Sequence, residues 1–224
     1  MQVVSAHVSG VPNHQTLRNT PLTTRFNVAM YGRLGYECNI ADLSKDDKKE
    51  IKEQIEFYKK YRDVISSGDF YRIKSPCTGT INYDRDMEYA WLVISKDKSS
   101  ALLMTIHDKA VPNNANARVK TYYLDDSKLY NFTSVAKKIN IKNFGDLINA
   151  VTPIHIKPDS MLHNTLSKVI HMDCEKEDYT AYGSVMNECG IKLHDNYASV
   201  GFDDHVRYYQ DYSSRLYIIT EKKS

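Results

Sequence analysis

The sequence lacks a long hydrophobic run and a cysteine motif, and each absence excludes a class of protein. No stretch of the 224 residues approaches the about 20 consecutive apolar residues of a transmembrane helix, and residues 1–10 lack the basic-then-apolar pattern of a signal peptide. None of the four cysteines lies in a C-x-x-C pair or before a histidine at zinc-finger spacing. We therefore predict a cytoplasmic protein with no membrane partner, no metal and no cofactor. The cysteines, expected to be reduced thiols, are Cys38, Cys77, Cys174 and Cys189.

The charge pattern argues against a nucleic-acid partner. Thirty basic and 28 acidic side chains leave a formal charge of +2, and no basic tract carries interleaved aromatics. With 42% apolar and 26% charged residues, the composition is that of a globular protein rather than a disordered or collagen-like chain. Tyrosine is abundant, at 17 residues against 1 Trp. Tyrosines suit half-buried sheet faces and sugar-binding surfaces alike, and the structural interpretation is favoured.

The first 43 residues are predicted to form part of an α/β unit. Val3, Val4 and Val8 indicate a short strand, and a polar loop follows at residues 10–15. A second strand is predicted at residues 26–30, running into a turn at Gly32 and Gly35.

A helix over residues 44–67 is the clearest element in the sequence. Ser44 can cap it, with Asp47 in the place of the capping-box glutamate. Residues 66–68 (SSG) end it. The dense charges of its outer face indicate a solvated surface. Its apolar stripe consists of Ile51, Ile55, Tyr58 and Ile65, completed by Tyr61 or Arg62.

After Gly68 the pattern becomes that of short strands. Strands are predicted at residues 69–74, 89–95, 101–107, 118–124 and 214–220, with a hairpin turn at residues 96–100. Such a series indicates an antiparallel β-sandwich. Residues 143–172 stay ambiguous, with a short helix opening at 144–148 and a strand at 167–172 as the candidates. The chain thus divides near residue 68, and its α/β part is too small to be complete, since one helix cannot cover both faces of a parallel sheet.

The densest polar cluster surrounds Pro12 and is the candidate site. Two histidines beside a serine suggest nucleophilic or metal chemistry, but they are seven residues apart across a loop, and no carboxylate is close in sequence. A loop whose side chains bond its own backbone is favoured. If the preceding strand is parallel, this loop lies at the strand's C-terminal end, where α/β proteins place ligands. The cluster consists of His7, Ser9, Asn13, His14 and Gln15.

The remaining chemistry-bearing residues favour structural roles. Three acidic pairs fall where turns or helix caps are expected, namely Asp46–Asp47, Asp125–Asp126 and Asp203–Asp204. Five further histidines show no ligand spacing: His155, His163, His171, His194 and His205.

Several segments closely resemble α-galactosidases (melibiases) of glycoside hydrolase family 36. The most specific are HVSGVPNHQT at residues 7–16, with Arg18, and TPLTTRFNVAM at residues 20–30. The likeness continues through GYE at 35–37, GDFYR at 68–72 and Ser75–Pro76. It resumes at FGDLIN (144–149), PIHIK (153–157) and DYSSRLY (211–217), so that it covers essentially the whole chain.

The resemblance implies a retaining enzyme that removes terminal α-galactosyl residues from oligosaccharides such as melibiose and raffinose. It implies an N-terminal β-sandwich, a central (β/α)8 TIM barrel and a C-terminal antiparallel β-sandwich, with a nucleophilic Asp and an acid/base Asp on earlier barrel strands. Neither catalytic motif occurs here. Residues 1–67 then correspond to the last βα units of the barrel, and residues 68–224 to the sandwich. We expect the chain alone to be inactive, and its five candidate residues to support the substrate pocket.

Two alternatives stay open. The first is a non-catalytic carbohydrate-binding or assembly module built on the sandwich. The second is a relic without function whose strand edges are open to aggregation. A homo-oligomer is compatible with each interpretation.

Overall fold

The computed structural model describes residues 4–75, 88–110, 112, 118–194, 197–203 and 205–223. Val3, Pro76, Cys77 and Asp204, which entered the sequence analysis, lie outside these ranges. Within them the chain is a mixed α/β structure whose C-terminal part is rich in sheet, as predicted.

The N-terminal part is a parallel strand–helix–strand unit followed by a long helix. Strand β1 pairs with strand β2 in parallel, with Ser5 opposite Arg33 and Ser9 opposite Glu37. A short 3-10 turn at Ile40–Asp42 leads into the long helix. The elements are β1 (Ser5–Ser9), α1 (Leu22–Ala29), β2 (Arg33–Glu37) and α2 (Lys45–Ser67).

The predicted strand at residues 26–30 is wrong, because this segment belongs to helix α1. Its backbone bonds are helical, with Arg25 N–H donating to the Pro21 carbonyl at 3.0 Å and Met30 N–H to that of Phe26 at 2.8 Å. The alternation of apolar residues suggested a strand, but the buried residues include the adjacent pair Phe26 and Asn27, as in a short helix enclosed on several sides. The glycine-bearing turn is confirmed at Gly32, whose N–H donates to the Ala29 carbonyl at 3.1 Å, but Gly35 lies within β2.

Helix α2 confirms the strongest prediction. The Ser44 side chain accepts the Asp47 N–H at 3.0 Å, and its hydroxyl donates to the Asp47 carboxylate at 2.7 Å. The helix ends where Gly68 allows close approach of two backbones, because a Cβ there would lie 2.3 Å from the Val64 oxygen and 2.5 Å from the Ile94 oxygen. The buried residues are Ile51, Gln54, Tyr61 and Ile65, so the stripe includes a glutamine that the apolar pattern omitted.

The C-terminal part is built on a six-stranded antiparallel sheet in the order β10-β7-β14-β5-β4-β3. Three two-stranded ladders, β6 with β11, β8 with β9 and β12 with β13, accompany it. Helical segments occur at Ile141–Ala150 (3-10), Met161–Leu166 (α3) and Val185–Cys189 (π). The strands are β3 (Asp69–Lys74), β4 (Glu88–Ile94), β5 (Ser100–His107), β6 (Arg118–Val119), β7 (Leu129–Ser134), β8 (Lys138–Asn140), β9 (His171–Asp173), β10 (Asp178–Tyr182), β11 (Ile191–Lys192), β12 (Tyr197–Ala198), β13 (Tyr208–Tyr209) and β14 (Ser213–Glu221).

Four of the five strands predicted after Gly68 are confirmed, together with the hairpin between β4 and β5. The strand predicted at residues 118–124 ends at Val119, because Thr121 turns to bond Met186 and Tyr122 has a positive φ of 64°. The helix predicted to open at 144–148 falls within the 3-10 segment, but this segment is two helical turns separated by a kink at Gly145, whose φ of 55° is not helical. The strand predicted at 167–172 begins only at His171, because the preceding residues form turns after α3.

Both faces of the large sheet are buried. Successive residues of β5 point to opposite faces, so Leu102 and Met104 pack toward the N-terminal unit while Leu103 packs toward the opposite side. On the first face these residues join Val8 and Phe26 in one apolar cluster. On the second face the cluster includes residues of the small β6–β11 ladder.

Candidate functional site

The β1–β2 pair has one apolar face and one polar face. Alternate residues of β1 are buried or exposed, so Val8 is fully buried while His7 is exposed. On β2, Arg33 and Glu37 are likewise exposed. The polar side chains of both strands therefore share the face opposite the helix-packed Val8, and the candidate loop leaves β1 at the C-terminal end of this sheet.

His7 lies at the centre of the polar face. Its ring occupies the space left by Gly35 on the neighbouring strand, where a Cβ would be 2.5 Å from the His7 Cδ2. Its Nε2 is 3.2 Å from the Ser5 hydroxyl, and its Nδ1 is 3.8 Å from the Glu37 carboxylate. The order Ser–His–Glu is that of a nucleophilic triad, but the second distance exceeds a hydrogen bond, and the side chains of His7 and Glu37 are 50% and 76% exposed. We therefore assign this group no nucleophilic chemistry.

Asn13 organises the loop that follows β1. Its side-chain oxygen accepts from the backbone N–H groups of Gln15 and Thr16, both at 3.0 Å, and from the Thr16 hydroxyl at 3.1 Å. Its backbone N–H donates to the Arg18 carbonyl at 2.9 Å. The side chains of His14 and Gln15 are exposed. This is the favoured interpretation of the cluster, a loop that bonds its own backbone.

Arg25 of helix α1 joins the loop to the end of β1. Its guanidinium donates to the Ser9 carbonyl and, through Nε, to the Thr20 carbonyl at 3.0 Å. Partial burial lowers the pKa of Arg25. Sequence reasoning missed this residue, because both of its partners are backbone carbonyls that leave no side-chain pattern. The structure thus brings Ser9 and the loop together through a residue outside the predicted set.

A second cluster of polar side chains lies between α1, β2 and α2. The Glu50 carboxylate accepts from Thr23 of α1 and from the Gln54 side chain, each at 2.8 Å, and the Tyr36 hydroxyl donates to Gln54 at 2.9 Å. Burial raises the pKa of Glu50 and that of Tyr36. Sequence reasoning did not single out Glu50. Its carboxylate joins α1 to α2, and Gln54 extends the hydrogen bonds to Tyr36 of β2.

One carboxylate of each acidic pair serves a helix cap or a turn, as predicted, whereas Asp126 accepts from the Asn187 side chain at 2.8 Å. The Asp47 carboxylate accepts from the hydroxyl of Ser44, the N-cap of α2, at 2.7 Å, Asp125 accepts the Ser127 N–H at 3.0 Å, and Asp203 accepts the His205 N–H at 2.7 Å. Hydrogen bonds lower the pKa of Asp125 and that of Asp203. Cys38, Cys174 and Cys189 are free thiols. In the described ranges, no group of three or more His, Cys, Asp or Glu side chains is placed to hold a metal ion, and no helix is long and apolar enough to cross a bilayer.

A cleft of about 520 Å³ lies beside the candidate loop. Its walls are Arg18 and Asn19 of the loop, Ala110, Pro112 and residues 208–212. The Arg18 guanidinium lies 4.5 Å from the centroid of the Tyr212 ring, and Asp211 accepts the Ala110 N–H at 2.8 Å. The loop and the C-terminal part of the chain therefore meet in this cleft, which sequence reasoning could not find because its walls are about 190 residues apart along the chain.

Two families match consecutive parts of the chain. Residues 1–68 match the family described as Melibiase, and residues 88–219 match the Glycosyl hydrolase family 36 C-terminal domain. Similar curated proteins include the bifunctional alpha-galactosidase/sucrose kinase AgaSK of Mediterraneibacter gnavus and the alpha-galactosidase AgaA of Geobacillus stearothermophilus. Each is 38% identical over 130 residues, which are 58% of this chain but only 13% and 17% of the two relatives.

Solved structures show the same relationship. The galactosidase domain of AgaSK is 26% identical with a TM-score of 0.66, and the match covers 99% of this chain and 22% of that one. A variant of AgaA in complex with raffinose is 25% identical with a TM-score of 0.65, covering 97% and 22%. The chain thus spans less than a quarter of the length of these relatives. It belongs to glycoside hydrolase family 36, a family of α-galactosidases, and corresponds to the C-terminal portion of its members.

Proposed function

We propose that this chain is the C-terminal part of a retaining α-galactosidase, with β1 and β2 as the last strands of a (β/α)8 barrel and α2 as its final helix. The observation that carries the proposal is the β1–α1–β2 unit itself. Its two strands are parallel, helices pack on one face, and the other face presents His7 and Glu37 to solvent. Parallel sheets are normally covered on both faces, and in a barrel the second face is the filled interior.

The sheet edges support the same proposal. Within the described ranges β1 and β2 pair only with each other, so each leaves one edge without a partner. Closure of a barrel removes such edges by pairing every strand on both sides. Residues 68–224 would follow as the C-terminal β-sandwich, with the six-stranded sheet as its larger layer.

The proposed substrate class is terminal α-galactosides of oligosaccharides such as melibiose and raffinose. Support comes from the relatives, among which a variant of AgaA has been solved in complex with raffinose. The barrel places its active site at the C-terminal ends of the strands, which is where the loop after β1 begins. We propose that His7, Ser9, Asn13, His14 and Gln15 support the substrate pocket there.

The chain alone is proposed to be inactive. A retaining glycosidase needs two carboxyl groups about 5 to 5.5 Å apart, one as nucleophile and one as acid/base. No Asp of this chain matches the family's motif for either role. Its contribution would be to complete the barrel and to position the pocket loop.

Complementation tests this proposal directly. The chain is co-expressed with a separate polypeptide that carries the N-terminal sandwich and earlier barrel strands of a family 36 relative, and hydrolysis of an aryl α-galactoside is measured. We expect activity from the pair and none from either part. The matched control is Val8→Asp, which puts a charge on the helix-packed face of β1 and should abolish complementation. Turnover by the pure chain would contradict the proposal, as would co-purification of a folded pair without activity.

The carbohydrate-binding or assembly module is the second candidate, favoured by the tyrosine-lined cleft beside the loop. A cytoplasmic location and a homo-oligomer stay predictions.

A further inference from the structure

The loop after β1 is fastened at its base by a side chain that lies outside it. The Arg25 guanidinium donates through Nη1 to the Ser9 carbonyl, where β1 ends, and through Nε to the Thr20 carbonyl at 3.0 Å, just before α1 begins. Among the described residues, no other side chain from outside residues 9–20 forms a hydrogen bond with this loop. A single guanidinium therefore joins the two ends of the loop.

The tip of the loop is held by different contacts. The Asn13 side chain accepts from the Thr16 N–H and hydroxyl, and the Asn13 N–H donates to the Arg18 carbonyl at 2.9 Å. These bonds lie within the loop, so they fix its shape but not its orientation on the β1–β2 pair. The orientation depends on Arg25 at the base and on the packing of the Arg18 guanidinium against the Tyr212 ring.

Arg25 lies on a part of α1 that is anchored to two other elements. The Thr23 hydroxyl donates to the Glu50 carboxylate of α2 at 2.8 Å, and the Asn27 amide donates to the Ser214 hydroxyl of β14 at 2.8 Å in a buried bond. Side chains carried by packed helices and strands are placed more precisely than side chains carried by loops. The guanidinium therefore offers its donors from a fixed position, and the loop is held relative to α1.

The surroundings of Arg25 keep its donors in place. Partial burial lowers the pKa of Arg25, and the neighbouring Cys38, Asp47 and Glu50 act in the opposite direction. Because an arginine side chain stays protonated in proteins, the guanidinium retains its five N–H donors in a planar fork. A lysine would keep the charge but would lack the fork that reaches two carbonyls at once. Substitution can therefore separate the charge of this residue from its geometry.

We propose that Arg25 is a positioning residue for α-galactoside hydrolysis, because it holds the loop after β1 in the orientation that the substrate pocket requires. Arg25 acts through the side chains of the loop, among them His14 and Gln15, which are exposed. The inference rests on the proposed function, which places the C-terminal end of β1 at the active site of a barrel. Since this loop supplies neither carboxyl group of the reaction, release of its base should weaken substrate binding and leave the chemical step nearly unchanged.

Trypsin digestion of the full chain tests the fastening of the loop without any activity. Arg18 is the first Lys or Arg in the sequence, so release of the peptide of residues 1–18 reports cleavage within the loop alone. Arg25→Gln should speed this release about tenfold, the effect of losing a hydrogen bond to a charged group, while cleavage within α2 keeps its rate. Arg25→Lys should give an intermediate rate. Arg62→Gln is the matched control, because that side chain of α2 is 64% exposed, and it should leave the release unchanged.

The complemented pair described above tests the role in the reaction. With an aryl α-galactoside, Arg25→Gln should raise KM about tenfold and leave kcat within about twofold of the parent, Arg25→Lys should recover part of the loss, and Arg62→Gln should match the parent. A merely structural defect would give the opposite pattern, because fewer folded molecules lower the apparent kcat and leave KM unchanged.

An unchanged KM in Arg25→Gln, or release of residues 1–18 at the parent rate, would overturn the inference. The failure of the proposed function is seen separately, because the parent pair would then be inactive before any substitution is made. The role of Arg25 in the reaction would fall with it, while the trypsin rates would still decide whether Arg25 fastens the loop.

Discussion

Asn13 fixes the conformation of the loop after β1, because its side-chain oxygen accepts three hydrogen bonds from residues two and three positions later. The loop contributes little to the core, since His14, Gln15 and Thr16 are all exposed. The conformation of the loop therefore affects the side chains that it places at the proposed pocket more than it affects the stability of the fold.

For Asn13→Ala in this chain we expect a loss of no more than about 1.5 kcal/mol, measured by urea denaturation, because the lost bonds are solvent-exposed. The matching substitution in an intact relative should lower kcat/KM by more than this loss of stability explains, because the loop lies at the proposed pocket. Asn13→Asp keeps the acceptor and should retain most of the activity. Equal activity with a lower melting temperature would make the loop purely structural.

Glu50 is a partly buried carboxylate whose pKa is raised by desolvation. The folded state then binds the proton more tightly than the unfolded state does. The stability linked to this group is present at pH values below its ordinary pKa of about 4.3 and is lost as the pH rises through the higher folded value.

Glu50→Gln should therefore raise the melting temperature at pH 7, and the gain should shrink toward pH 4. Glutamine keeps an oxygen that accepts from Thr23 and removes the partly buried charge. Melting curves from pH 4 to 8 measure the effect, with Glu56→Gln on the exposed face of the same helix as the control. A gain that is constant over this range, or absent at pH 7, would show that Glu50 is stably ionised in its network.

At the scale of elements, the joint between α2 and β3 is tight. Gly68 separates the last residue of α2 from the first of β3, and backbone oxygens lie on both sides of the position that a Cβ would occupy. Backbone cannot move away as a flexible side chain can.

Gly68→Ala should therefore destabilise the chain by about 1–3 kcal/mol, as overpacking of a rigid site does. Gly10→Ala is the matched control, because nothing lies within 4 Å of the added Cβ and its φ is not positive, and it should be neutral or slightly stabilising. Urea denaturation of both variants gives the comparison. Equal stability of the two would mean that the joint relaxes.

How well the sequence predicted an element depended on how local its cause was. Helix α2 and the hairpin β4–β5 were predicted almost to the residue, because a cap, a long period and a polar turn specify them nearby in sequence. Helix α1 was misread as a strand, because five residues do not separate the two periods once the segment is buried on several sides.

In the candidate site, too, local contacts were predicted and long-range contacts were not. The turn around Asn13 is local and was predicted, since the side chain bonds its neighbours. The approach of Glu37 to His7 depends on parallel pairing across α1, and that of Tyr212 to Arg18 on the path of almost the whole chain. The residues around these two pairs show no sequence pattern that predicts either contact.

At the scale of the molecule, the two parts of the chain share one apolar core. Val93, Leu102, Met104 and Leu216 lie on the sheet face that packs on the N-terminal unit, and each is at most 4% exposed. The Asn27 amide of α1 also donates to the Ser214 hydroxyl of β14 at 2.8 Å, in a buried bond. The two parts predicted to meet near residue 68 therefore share this core and do not have separate ones there.

Residues 68–224 alone should consequently fail to fold stably. These four buried apolar side chains contribute about 6–12 kcal/mol at the usual 1.5–3 kcal/mol each, which is comparable to the whole stability of about 5–15 kcal/mol of a typical protein. We expect the fragment to bind a hydrophobic dye, to self-associate in size-exclusion chromatography and to lack the cooperative melt of the full chain. A monomeric fragment that melts cooperatively near the temperature of the full chain would contradict this and would make the sheet an independent domain.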